Sequence, residues 1–195
     1  YEPYARERDQ EIKNFLKTKG VRFETYKDQV IFEKGEVVKN DGTPYKVYTP
    51  YSRKWIESWG NEPPISYPSE NLLHHLESNE NQPQTSLSNL GFKKSNIKLP
   101  TIITDERIMD EYEATRNYPA LDSTSRVGTA LRFGTISIRK LAMKAAERSE
   151  ITYFKELIWR EFFMQILWHF PHTVERSFKP QYDRIEWRNN QDEFD

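Results

Sequence analysis

The spacing of apolar and polar positions changes several times along the chain. Over residues 5–19, Ile12, Phe15 and Leu16 share one face at helical spacing, and Gly20 follows as a stop. From Val21 the period falls to two. "VRFETY", "QVIFE", "EVVK" and "PYKVYT" read as short strands, with "NDGT" at 40–43 as a hairpin turn. Thr49 then caps a helix with Pro50 at its first position, Trp55, Ile56 and Trp59 inside and Gly60 at its end. Residues 61–103 are rich in Pro, Asn, Ser and Glu. They read as a connector with one short helical piece at "ENLLHHLE". Helical spacing returns after Thr104, the expected cap of a helix that turns Ile108, Met109 and Tyr112 inward. Ser137 caps another. The longest helix, 151–170, is apolar nearly all round and stops at Pro171, so it should be buried on most sides.

Composition narrows the classes. A chain of 195 residues makes one ordinary domain or two small ones. The net charge of −1 makes any polyanion binding a matter of a local patch. The absence of cysteine removes disulfides and thiolate chemistry, and suits a reducing, cytoplasmic setting. No apolar run reaches membrane-spanning length, so no membrane is expected as a partner. Aromatic residues make up 14 % of the chain, enough to fill a core or line a flat ligand. The chain opens on Tyr1 and ends at "NNQDEFD" with no terminating feature, as part of a longer protein would.

Two stretches carry candidate chemistry. In "TSRVGTALRFG", residues 124–134, hydroxyls and free backbone N–H groups stand where a helix starts. They serve either as a helix cap or as a seat for a phosphate, with Arg126 to pair with it and Gly128 to allow close approach. In "KELIWREFF", 155–163, Glu156, Trp159 and Arg160 fall on one helical face. They form either an ordinary i,i+4 ion pair beside a packed indole or a receptor for a flat heterocycle. His169 and His172 are separated by a helix-breaking proline and no metal site is expected.

Four stretches in this order, "PYKVYTPYSRKW", "YPALDSTSRVGTALRFGTIS", "ELIWREFFMQILWHFP" and "YDRIEWRNN", resemble the DNA photolyase/cryptochrome family. "ELIWREFF" is most similar to class I cyclobutane pyrimidine dimer photolyases. The resemblance implies a mostly α fold with a small β portion. Residues 1–60 would be the end of an α/β antenna domain, 61–103 an interdomain connector, and 104–195 the first helices of an all-α FAD-binding domain. It implies light-dependent repair of pyrimidine dimers by a carbon–carbon lyase, with the fragment itself inactive. The alternative is a cryptochrome-type photoreceptor without repair activity.

Residue by residue, the resemblance implies FAD contacts at Tyr112, Thr124, Ser125, Arg126, Val127, Gly128 and Tyr153, with one FAD per intact protein. Gly128 stands where the family often has serine, so only backbone contact is implied there. Glu156 and Trp159 carry the implied catalytic roles. DNA contact is implied for Arg116 and for Glu156, Leu157, Ile158, Trp159, Arg160, Glu161, Phe162 and Phe163. The implied partner is UV-damaged DNA, the implied intact protein a monomer, and the implied setting a bacterial-type cytoplasm. A second antenna chromophore is left open. Tyr4-Ala5 replaces the Asn-Glu pair that holds folate in some members, so a folate is not implied.

Overall fold

The computed structural model describes residues 2–65, 67–76 and 85–193, and within them the fold is helical with no strand. Seven α-helices run in order: α1 (Pro3–Thr18), α2 (Tyr48–Asn61), α3 (Glu106–Asp110), α4 (Tyr112–Thr115), α5 (Gly128–Phe133), α6 (Ile138–Ala146) and α7 (Thr152–His169). Short 3-10 turns cover Ser69–His75, Pro171–Val174, Pro180–Arg184 and Gln191–Glu193. No helix among the described residues is long and apolar enough to cross a membrane.

The long apolar helix expected at 151–170 is α7, and the fold is built on it. α2, α4 and α6 all pack against α7. Tyr153, Phe154, Leu157, Ile158 and Phe162 sit in one hydrophobic cluster with Tyr51 and Trp55 of α2, Ile108 and Met109 of α3, and Leu141 and Ala145 of α6. Segments 1–60 and 104–195 therefore share a single core. Trp55 lies at its centre, stacked on Trp59 and met edge-on by Phe32 and Phe154 at ring separations of 5.2–5.4 Å. Such offset and edge-on contacts suit the aromatic quadrupole.

Several local signals act as read. Gly20, at φ +68, ends α1 in a Schellman turn. The N–H of Val21 reaches the carbonyl of Leu16, and that of Gly20 the carbonyl of Lys17. The hydroxyl of Ser137 accepts from the N–H of Lys140 and caps α6. The "ENLLHHLE" piece forms the 3-10 turn Ser69–His75, its last residue lying outside the described set with the rest of 77–84.

Other expectations are corrected. Asp105, not Thr104, caps α3, its carboxylate accepting from the N–H of Ile108 at 2.9 Å. α2 starts at Tyr48, without a side-chain cap, and runs through Gly60. No residue of α1 is buried, and Ile12 and Phe15 are exposed, because no described element covers that apolar face. The expected strands do not form. The "NDGT" turn closes, with Asp41 accepting from both the N–H and the hydroxyl of Thr43 and Gly42 at φ +77. Across its flanks the N–H of Lys39 reaches the carbonyl of Thr43, and the pairing goes no further into a ladder.

Candidate functional site

The irregular run 27–32, part of the expected strand region, has its backbone groups taken up by side chains of α6 and α7 instead. It offers carbonyls to arginines and a glutamine, and N–H groups to a carboxylate. Arg139 donates to the carbonyls of Lys27, at 2.5 Å, and Val30. Arg160 donates to that of Gln29 at 2.8 Å, and Gln165 to that of Phe32 at 3.2 Å. The Glu161 carboxylate accepts from the N–H groups of Ile31 and Phe32 at 2.7 and 3.0 Å, and from the indole N–H of Trp55 at 2.7 Å. Glu161 is 1 % exposed. Burial pushes its carboxyl up to about 7, outweighing the three hydrogen bonds and the Arg160 charge that oppose the rise. This clamp fixes the rotation of α7 against α2 and the 27–32 run.

That rotation turns Glu156 and Trp159 outward, one turn apart. The Glu156 carboxylate pairs with the Arg116 guanidinium at 2.7 Å, and both groups are about one-third exposed. Arg116 in turn lies over the ring of Tyr112. The Glu156 charge adds to burial in raising the phenols of Tyr48 and Tyr112. The Trp159 indole lies flat on the Tyr48 ring, with centroids 3.6 Å apart and planes 6° apart. Phe163, largely exposed, flanks Trp159 at 5.4 Å. An acid, a cation and a partly open aromatic surface therefore meet on the outer side of α7.

The other candidate stretch lies nearby but does not act as a cap. α5 begins at Gly128 behind Val127, and no side-chain hydroxyl caps it. Thr124 is exposed, Ser125 and Val127 are buried, and the Ser125 carbonyl accepts from the N–H of Ile103. Arg126 adopts φ +55, a left-handed conformation that disfavours a side chain, and pairs with Asp122. A Cβ added to Gly128 would meet open space. Tyr153, on the first turn of α7, meets Tyr112 edge-on at 5.4 Å. Its buried hydroxyl makes no well-formed hydrogen bond, and the side chain facing it is Ser125, which offsets part of the rise that burial imposes on the phenol. An orphaned hydroxyl beside a serine, with exposed Thr124 and Arg126 close in sequence, fits a polar, hydroxyl- or phosphate-bearing guest.

The structure thus groups Tyr112, Arg116, Glu156 and Trp159, and links Tyr153 to Ser125. It separates Arg160, whose guanidinium reaches the carbonyls of Gln29 and Leu131 instead of pairing with Glu156. Leu157, Ile158, Glu161 and Phe162, among the residues expected at DNA, have buried side chains, the three apolar ones within the hydrophobic cluster. The expectation treated a run of eight residues alike, whereas on a helix about half of them face inward. Sequence reasoning missed Tyr48, read near the end of a strand; its i, i+3, i+7 spacing with Tyr51 and Trp55 marks the packed face of α2, but nothing local points to Trp159. Among the described residues no group of three or more His, Cys, Asp or Glu could hold a metal ion.

Comparison with known proteins gives a consistent result. Residues 1–69 match the DNA photolyase family, and residues 153–195 match the FAD binding domain of DNA photolyase. The deoxyribodipyrimidine photo-lyase of Halobacterium salinarum is 32 % identical over 97 % of this chain, which covers 44 % of that protein. The enzyme of the same name from Alkalihalophilus pseudofirmus is 29 % identical, with 97 % and 43 % covered. The crystal structure of a bacterial class III photolyase from Agrobacterium tumefaciens superposes with a TM-score of 0.75 at 26 % identity, covering all of this chain and 44 % of that one. The chain spans less than half the length of each of these relatives.

Proposed function

We propose that this chain, which carries DNA photolyase family domains, is a segment of an enzyme that repairs cyclobutane pyrimidine dimers in UV-damaged DNA using light. The observation that carries the reading is the outward pair on α7. Glu156 and Trp159 stand partly exposed beside Arg116 and Tyr112, while their neighbours Leu157, Ile158 and Glu161 are buried.

In this reading a damaged, poorly stacked base pair leaves the duplex at low cost and meets that surface. Trp159 gives the extruded pyrimidines a flat apolar wall. Glu156 accepts a hydrogen bond from a base and holds it in register, and Arg116 keeps the carboxylate oriented while standing ready for a backbone phosphate. Tyr112, Thr124, Ser125, Arg126, Val127, Gly128 and Tyr153 would hold FAD, with the Tyr153 hydroxyl and Ser125 as its polar anchor. When bound and reduced, FAD would supply the light-excited electron that opens the dimer and would take it back once the dimer has split. The Glu156–Trp159 pair, and relatives named photo-lyases, favour repair over a cryptochrome-type photoreceptor.

The test is photorepair by the full-length parent protein on an oligonucleotide carrying one thymine dimer. Loss of the dimer in blue light and not in darkness is expected. Tight binding of flavin with no loss of dimer in light would overturn the assignment.

A further inference from the structure

Tyr48 belongs to the region matching the DNA photolyase family, yet its side chain is spent on α7. Its ring covers the Trp159 indole at 3.6 Å and 6°. Its hydroxyl donates to the carbonyl of Lys155 at 3.0 Å, the peptide group that leads directly into Glu156. Phe162 meets the same ring edge-on at 5.9 Å and backs it from the core. Tyr48 thus touches both the indole and the backbone that carries the acid.

An indole on a helix surface has rotamer freedom, and a flat partner face removes much of it. A carbonyl on the first turns of α7 that already accepts a helical N–H has a second lone pair for a phenol. The two contacts of Tyr48 therefore hold the plane of Trp159 and the path of the chain at Glu156 together.

We propose that Tyr48 is a positioning residue for lesion recognition, fixing the orientation of Trp159 through the ring stack. The inference rests on the reading of Glu156 and Trp159 given under Proposed function. It assigns to the first 60 residues a direct part in shaping the surface that meets the damaged bases.

The test is dark binding of the full-length parent protein to dimer-containing and undamaged duplexes of one sequence, read as the ratio of the two affinities. Tyr48→Phe keeps the stack and should hold the ratio within about twofold. Tyr48→Leu removes the π face and should lower the ratio by roughly three- to tenfold, the span of an aromatic pair's worth. In a Trp159→Ala background Tyr48→Leu should have no further effect on the ratio. If Tyr48→Leu does not fold, Tyr48→Met keeps similar volume without a ring and answers the same question. An unchanged ratio in the ring-less variant, with the ratio lost in Trp159→Ala, overturns the positioning role and leaves the repair reading standing. An unchanged ratio in Trp159→Ala as well overturns the repair reading itself.

Discussion

The indole N–H of Trp55 donates to the Glu161 carboxylate at 2.7 Å, deep in the core and across 106 positions of sequence. The same carboxylate takes two backbone N–H groups, so one acid satisfies three buried donors from two separate segments. A buried acid serving three donors is expensive to remove, because each donor is left without water or partner.

Glu161→Ala is expected to lose roughly 3 kcal/mol or more of unfolding free energy. Glu161→Gln is expected to lose less, about 1–3 kcal/mol, because its amide keeps one acceptor but turns an NH2 toward a remaining donor. Urea unfolding followed by tryptophan fluorescence checks both values. A change below 0.5 kcal/mol in Glu161→Ala, on the order of a neutral surface substitution, would mean the clamp is replaced by water.

The Glu161 carboxyl also makes a pH dependence. Its pKa is raised in the folded state to about 7 from an ordinary 4.5, so the folded chain binds the proton more tightly than the unfolded one. Its contribution to stability is therefore full below about pH 4.5 and is lost as pH rises through about 7. Comparing unfolding midpoints at acid and mildly alkaline pH isolates it: the falling slope should be present in the natural chain and absent in Glu161→Gln.

The sequence made the helices legible where local chemistry decides them. The apolar periodicity of α7, the Gly20 stop and the Ser137 cap all sit within a turn of the groups they satisfy. It did not make legible what depends on distant partners. "QVIFE" has strand composition, and Val30, Ile31 and Phe32 are buried as such a run should be, but Arg139, Arg160, Glu161 and Gln165 occupy its backbone groups. Likewise Glu156 and Arg160 have ideal i,i+4 spacing, yet each has a better partner elsewhere, Arg116 for one and the Gln29 carbonyl for the other. The outward Glu156–Trp159 pair was readable from helical spacing; the Tyr48 ring beneath it was not.

For the site, Trp159→Ala in the full-length parent is expected to weaken binding to dimer-containing DNA about tenfold or more while changing binding to undamaged DNA by less than about twofold. Gel-shift or fluorescence-anisotropy titration of both duplexes measures this. Equal losses on the two would place Trp159 outside the contact with the lesion.

The isolated 195-residue chain is expected to retain much less than one flavin per molecule. It offers the Tyr153 hydroxyl and Ser125 as polar anchors but spans only 44 % of the Halobacterium salinarum enzyme it matches. The ratio of flavin to protein absorbance after gel filtration reports the occupancy. A stoichiometric yellow protein would show that the anchors suffice alone.

The clamp at Glu161 joins residues 130 positions apart, and that separation has a consequence during synthesis. At ordinary translation speeds Ile31 leaves the ribosome on the order of ten seconds before Glu161 does. Through that interval Tyr51 and Trp55 have no α7 to cover them, and the backbone of 27–32 has no side chains to satisfy it. Those two rings and that stretch of backbone wait for α7.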